Sequence, residues 1–278
     1  MEHSLYSIFV LVVLVKDCVY DIISIVVIYG DVMEKLWNLW HGCHKISDGC
    51  KNCYVYRGDE SRGLDASVIY KTKSFDMPIQ RNKKGDYKLP AGSFVYTCFS
   101  SDFLLEDADE WRGDAWAMIK ERSDCKFLFI TKRIDRFGKV KPADWGDGYD
   151  NVIICSTCEN QKQYDYRMPI FNELKIKHKM LILEPLLEEV DVSKHLTEDI
   201  QQVVVGGESG PQARVCDYNW VLKIREACMA RNITFVFKQT GTYFRRDGRI
   251  YKIERKFHHV QARKAGINFE GKYPSSFA

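Results

Sequence analysis

The chain has 278 residues, 45% of them apolar and 28% charged, with a formal net charge of +3 and ten cysteines. That length buries a sizeable core in one domain, the composition is that of an ordinary globular protein, and +3 is too weak a charge to argue alone for a nucleic-acid partner. Ten irregularly spaced cysteines in so long a chain speak against a secreted disulfide framework and fit a reducing cytoplasm with one cysteine-based metal site.

Residues 1–32 hold two apolar runs, Leu5–Val15 and Val19–Tyr29, broken by Lys16 and Asp17, with Asp21 inside the second. Neither reaches the ~20 residues of a spanning helix, and charges midway are costly. No basic leader or small-residue cleavage site marks a signal peptide. The segment reads as an over-extended gene start with Met33 as the true beginning; a membrane anchor and a packed element are the alternatives.

The next stretch, Trp40–Tyr54, carries Cys43, Cys50 and Cys53 at C-x6-C-x2-C spacing in a glycine-flanked loop. Three thiolates can hold three irons of a 4Fe–4S cluster and leave the fourth iron open. A zinc site would recruit a fourth ligand, for which His44 is available. Spacing alone leaves both open, although adjacent Cys43 and His44 make an awkward pair on one tetrahedral ion.

Past this loop, apolar β-branched and aromatic runs recur: Ser93–Phe99, Lys126–Ile130, Asn151–Cys155, Lys179–Leu183, Gln202–Val205 and Thr234–Phe237, with Lys35–Trp40 before them. None alternates with polar residues, as expected of parallel strands buried on both faces. Helical stretches intervene. Asp109–Arg122 puts Trp111, Ala115, Met118 and Ile119 on one stripe, and Asp217 caps a helix through Arg231 with Trp220, Val221, Ile224 and Cys228 on another. Lys71–Lys88 is polar and basic, a long loop or hairpin. The pattern predicts an α/β fold over residues 33–241, an incomplete or compact (β/α) TIM-like barrel; a doubly wound open sheet is the alternative.

In either architecture ligands bind at the carboxyl ends of the strands. The residues predicted there are Ser101 and Asp102, Lys132 and Arg133, Glu159 and Asn160, Glu184, Gly206–Gly207–Glu208–Ser209, and Lys238 and Gln239. At a barrel mouth, the cysteine loop suits a 4Fe–4S cluster whose open iron chelates S-adenosylmethionine. Glu208 offers an acceptor to its amine, Lys132 or Arg133 a cation to its carboxylate, Asn160 a hydrogen bond to its ribose, and the glycines a close backbone approach. Cys155 and Cys158 resemble a C-x-x-C metal or redox pair, but three positions apart on a strand they point to opposite faces. Residues 242–278 form a basic extension with interleaved aromatics and an Asp247–Gly248 hairpin signal, suited to phosphates and bases or to packing on the barrel.

Trp37–Asn38, Gly42–Cys43, Ser47, Gly49–Cys50, Cys53–Tyr54, Ser101–Asp102–Phe103, Thr131–Lys132–Arg133, Glu159–Asn160, Glu184–Pro185–Leu186, Val205–Gly210 and Phe237–Lys238–Gln239 together resemble a phage- and prophage-encoded three-cysteine-motif family. That family is similar to a divergent branch of the radical S-adenosylmethionine superfamily. The resemblance runs from about Met33 to the C-terminus and includes Lys264–Ala265–Gly266 and Gly271–Lys272. It implies a deoxyadenosyl radical made on the cluster, an electron donor, and an unknown substrate, DNA or RNA among the candidates. Relatives encoded beside a methyltransferase-like partner imply a nucleic-acid modification or phage-defence setting. This chain departs from the superfamily's C-x3-C-x2-C spacing, and the family has no cysteines at positions 155 and 158. The competing reading is a zinc-stabilised nucleic-acid-binding protein without catalysis.

Overall fold

The computed structural model describes residues 33–274, so the expectations for residues 1–32 lie outside it. Each of the seven apolar runs forms a strand: β1 Glu34–Trp37, β2 Phe94–Thr97, β3 Lys126–Thr131, β4 Val152–Thr157, β5 His178–Leu183, β6 Ile200–Gly206 and β7 Thr234–Gln239. They pair in parallel in strict chain order, with β1 and β7 at the two edges. A doubly wound sheet reverses its order at a switch point; here none occurs. The sheet curls into a half-barrel, as the incomplete (β/α) barrel expectation requires.

Side-chain alternation sorts the strands into two packed layers. Val95, Phe127, Phe129, Ile154, Leu181, Val203, Val205 and Phe235 join the helices in the larger core. Phe94, Tyr96, Leu128, Ile153, Cys155, Met180, Ile182 and Val204 fill the concave side. The long helices are α2 Asp109–Glu121, α3 Gln161–Glu173 and α4 Tyr218–Ala230; α1, Tyr54–Glu60, follows the cysteine loop. Asp217 caps α4 by accepting from Asn219 N, and Val221, Ile224 and Cys228 are its buried stripe. Among the described residues no helix is long and apolar enough to cross a membrane.

Two crossovers depart from the expected alternation; between β3 and β4 the only α-helix is the four-residue Phe137–Val140. Between β5 and β6 no helix forms; Leu186, Val190, Val192 and Leu196 are buried from an irregular segment instead. Within 71–88, Arg81 bridges Tyr87 in antiparallel fashion, a small hairpin. Cys155 lies in the concave layer and Cys158 in the helix-side core, both fully buried, which confirms that they diverge.

The extension packs onto the half-barrel. β8 Tyr243–Arg246 and β9 Arg249–Lys252 form a hairpin through Asp247 and Gly248, whose φ values of 51° and 74° make the primed turn the sequence signalled. β8 also pairs with Cys216–Asp217. Helix α5, His258–Lys264, comes next, and Phe269 bridges Phe235 along the outer edge of β7.

Candidate functional site

Gly42 turns the chain from the end of the first strand region into the cysteine loop. Its φ is +90°, and a Cβ there would sit 2.3 Å from the Val68 carbonyl oxygen, so only glycine fits. Backbone bonds then fix the loop's start, Gly42 N to Ser100 O at 3.2 Å and Cys43 N to Ala66 O at 2.8 Å. A single 3-10 turn spans Asp48–Cys50, and Cys53 stands immediately before α1. Cys43, Cys50 and Cys53 are only partly buried, whereas the other described cysteines are fully so. All three line one cavity of about 210 Å³ at the carboxyl ends of the strands.

Five of the predicted strand-end residues reach upward and grip this loop. After β2, Ser101 Oγ donates to Gly42 O. After β3, Arg133 donates to His44 O at 2.8 Å and reaches Cys43 Sγ at 3.7 Å, itself held by Asp102 at 3.3 Å. After β4, Glu159 Oε1 accepts from Gly49 N at 3.0 Å, and Asn160 donates to Asp48 Oδ2 at 3.1 Å while capping α3 through Gln163 N. After β6, Glu208 Oε2 accepts from Asn52 Nδ2 at 3.0 Å. Four strand ends thus clamp one loop.

Apart from the half-buried Ser101 hydroxyl, each clamp is a charged or amide group buried against a partner. Glu159 is fully buried and ion-paired at 2.8 Å with Arg167, itself 2% exposed. Burial pushes its carboxyl up, but Lys132, Arg167 and the Gly49 N–H outweigh this and hold it below the ordinary value of 4.5. Glu208 behaves alike: burial raises it, and Arg214, with Asn52, brings it net down. Burial pushes the Cys43 thiol up to about 12, with Asp102 adding to the rise and Arg133 opposing it.

Asn52, Arg57, Arg167 and Arg214 belong to this clamp and were not foreseen from the sequence. Arg57 donates to Asn52 O and Ser209 O, both at 2.7 Å, and Arg214 donates to Glu208 and to Asp48 O. One signal was available: Arg57 lies four residues past Cys53, so it shares that residue's side of α1. Arg214 meets Glu208 across a turn, and no local spacing announces that.

The remaining predicted residues, Gly206 excepted, line the cavity. Alternation carries the concave-side row to the strand ends or one step past them, from Ile130 to Lys132, Cys155 to Thr157, Ile182 to Glu184, and Val236 to Lys238. Lys238 Nζ lies 2.9 and 3.1 Å from the two Glu184 oxygens, and Gln239 Nε2 donates to the same carboxylate. Lys132 lines the cavity without an ion-pair or side-chain hydrogen-bond partner among the described residues. Thr157 Oγ1 is buried with no hydrogen-bond partner, although Thr157 lines the cavity. Val55, Ile130 and Ile182 supply the apolar wall. Glu159, Asn160 and Gly206 are not among the lining residues.

The glycines serve packing. A Cβ on Gly206 would lie 2.9 Å from the Glu184 carboxyl carbon, and one on Gly207 2.1 Å from Thr240 O. The close approach expected for a cofactor is taken by the protein's own atoms. Gly207→Ala is therefore expected to cost about 1–3 kcal/mol in chemical denaturation, because backbone rather than a flexible side chain must move.

Among the described residues, no three His, Cys, Asp or Glu side chains converge to hold a metal ion. A single zinc needs thiolate sulfurs within about 4 Å of one another, given Zn–S bonds of ~2.3 Å. A cuboidal cluster spreads its three thiolate ligands around a larger body; Cys43, Cys50 and Cys53 all line the one cavity.

The profile of a protein family described as "Protein of unknown function (DUF5131)" matches residues 31–277. No curated protein and no solved structure matches the chain.

Proposed function

We propose that this chain, which belongs to the DUF5131 family, is a radical S-adenosylmethionine enzyme that holds a 4Fe–4S cluster on Cys43, Cys50 and Cys53. The observation that carries the reading is the meeting of three partly buried thiols and a set of strand-end polar groups on a single cavity. Such a cluster, reduced by an electron donor, supplies an electron to S-adenosylmethionine and so opens hydrogen abstraction from a substrate.

The chain's own residues do the binding and orienting. The four strand-end clamps hold the thiols in place against the cavity, so little ordering remains when a group binds. Lys132 is the cation left to pair a ligand carboxylate, since Arg133 is committed to Asp102 and His44. Thr157 Oγ1 gives a ligand hydroxyl or amine a partner it otherwise lacks. Glu184, held by Lys238 and Gln239, presents a fixed carboxylate. The apolar wall of Val55, Ile130 and Ile182 excludes water from a reactive intermediate.

Anaerobic reconstitution tests this. Wild type is expected to take up about four irons per chain with broad visible absorption, and Cys50→Ser to lose them. The apoproteins should share one thermal midpoint, because the Cys50 side chain is only partly buried and contributes no core packing. Stoichiometric zinc in freshly purified protein, with no iron uptake, overturns the reading.

A further inference from the structure

The β8–β9 hairpin carries charge that the site described above does not use. Residues 243–264 hold eight basic residues against Asp247 and Glu254, an excess of six, while the whole chain has a net +3. The positive field is therefore concentrated in this one segment. At the hairpin tip Arg246 lies directly across from Arg249, and both are exposed. Like charges directly opposite on a hairpin repel. Arg249 and Lys252 have no ion-pair partner among the described residues, and Arg246 reaches the exposed Asp247 at 3.6 Å while its guanidinium lies 4.9 Å over the Tyr218 ring.

Every residue of β9 is exposed, so both of its faces meet solvent. Tyr251 shares a face with Arg249, and Ile250 and Lys252 occupy the other. Phe257, just beyond, is exposed as well, whereas Phe244 at the hairpin's base is buried, stacked on Phe237. Protecting a sheet edge from aggregation needs a charge; it does not need opposed arginines beside the open Tyr251 ring and a Phe257 ring that carries only Lys256 at 4.9 Å.

The hairpin is also rooted at the cavity rim. Thr242 N donates to Glu208 O at 2.9 Å, and Gly210 N donates to Thr242 Oγ1 at 3.0 Å. His258, after the hairpin, is buried with Nε2 3.0 Å from Ile253 O and Nδ1 3.3 Å from Ser209 Oγ; Ser209 donates to Gln239, which donates to Glu184. The arm's base is thus built into the loop that lines the cavity.

We infer that this arm docks single-stranded nucleic acid at the cavity mouth, with a backbone phosphate between Arg246 and Arg249 and an unpaired base on Tyr251. A phosphate placed there relieves the Arg–Arg repulsion, and stacking needs a base face that a duplex hides. The inference deepens the proposed function by naming its substrate class, and rests on that reading only for the chemistry after docking.

The test is fluorescence anisotropy with a labelled single-stranded oligonucleotide of mixed sequence, as DNA and as RNA, on the full chain. Wild-type affinity should fall with salt by about 0.7 log units per log unit of salt for each phosphate contact, and Arg249→Glu should lower both that slope and the affinity, the latter about tenfold. The same change places Glu opposite Arg246, so the thermal midpoint should hold or rise while binding weakens; an arm that served only folding would not separate the two. Tyr251→Ala should weaken binding about fivefold or more. Wild-type affinity in Arg249→Glu, or a duplex bound as tightly as the single strand, overturns the inference. Iron uptake is measured on the same samples. Iron without oligonucleotide binding sinks the arm alone, whereas oligonucleotide binding without iron supports the arm and sinks the cofactor reading.

Discussion

Glu159→Ala is expected to lower stability by about 3–5 kcal/mol, because it strands the buried Arg167 guanidinium without its carboxylate. It also removes the acceptor of Gly49 N, one residue before Cys50, so iron uptake should fall with stability. The milder Glu159→Gln separates charge from shape. The Glu159 carboxyl sits below its ordinary value of 4.5 in the folded chain. Its charge therefore contributes stability that is complete above that value and is lost as pH falls through the lowered folded value. The stability gap between wild type and Glu159→Gln in urea titrations should be full at neutral pH, narrow once pH drops below 4.5, and close in stronger acid. A gap that widened on acidification would mean that burial wins and the carboxyl is already protonated when neutral.

Asp102→Ala should cost a similar amount, about 3–5 kcal/mol, by a different route. One oxygen of Asp102 accepts from Leu104 N at 2.9 Å and Thr131 Oγ1 at 2.8 Å; the other accepts from Lys132 N at 3.0 Å and lies 3.3 Å from Arg133. That carboxylate joins the ends of β2 and β3 and aims Arg133 at Cys43 and His44. Removal leaves Arg133, 4% exposed, with the exposed Glu106 at 3.4 Å as its remaining carboxylate partner. Asp102→Asn should recover part of the stability through Leu104 and Thr131, but not the charge facing Arg133. Comparing iron uptake of the two variants at equal folded fraction reads out how far Arg133 positions the loop.

The strands were legible because their chemistry is local. Runs such as Ile153–Ile154–Cys155 and Val203–Val204–Val205 are apolar on both faces, and only a covered parallel sheet buries both. The divergence of Cys155 from Cys158 came from the same two-residue period. The segment after β5 was harder to read. Leu186, Val190, Val192 and Leu196 are as buried as a helix stripe would be, but no helical register connects all four. In the candidate site, the positions of Ser101, Arg133, Glu159, Asn160 and Glu208 at strand ends were correctly anticipated, while their partners were not. Sequence spacing says that a strand end points toward the mouth; it does not say whether a ligand or a loop of the same chain is waiting there. Gly49, whose missing side chain leaves Glu159 room at 3.0 Å, was the one residue whose identity hinted at so close an approach.

The strictly sequential sheet has a consequence for what can enter. Because β1 and β7 are edges and not neighbours, the sheet is open along one side and is not a closed tube. A closed barrel admits only the end of a long molecule, or a unit swung out of it. The concave side itself is filled by Phe94, Tyr96, Leu128 and Met180, so on the proposed reading a long molecule lies across the open mouth with its chain continuing past both rims, and needs no free end to be held there.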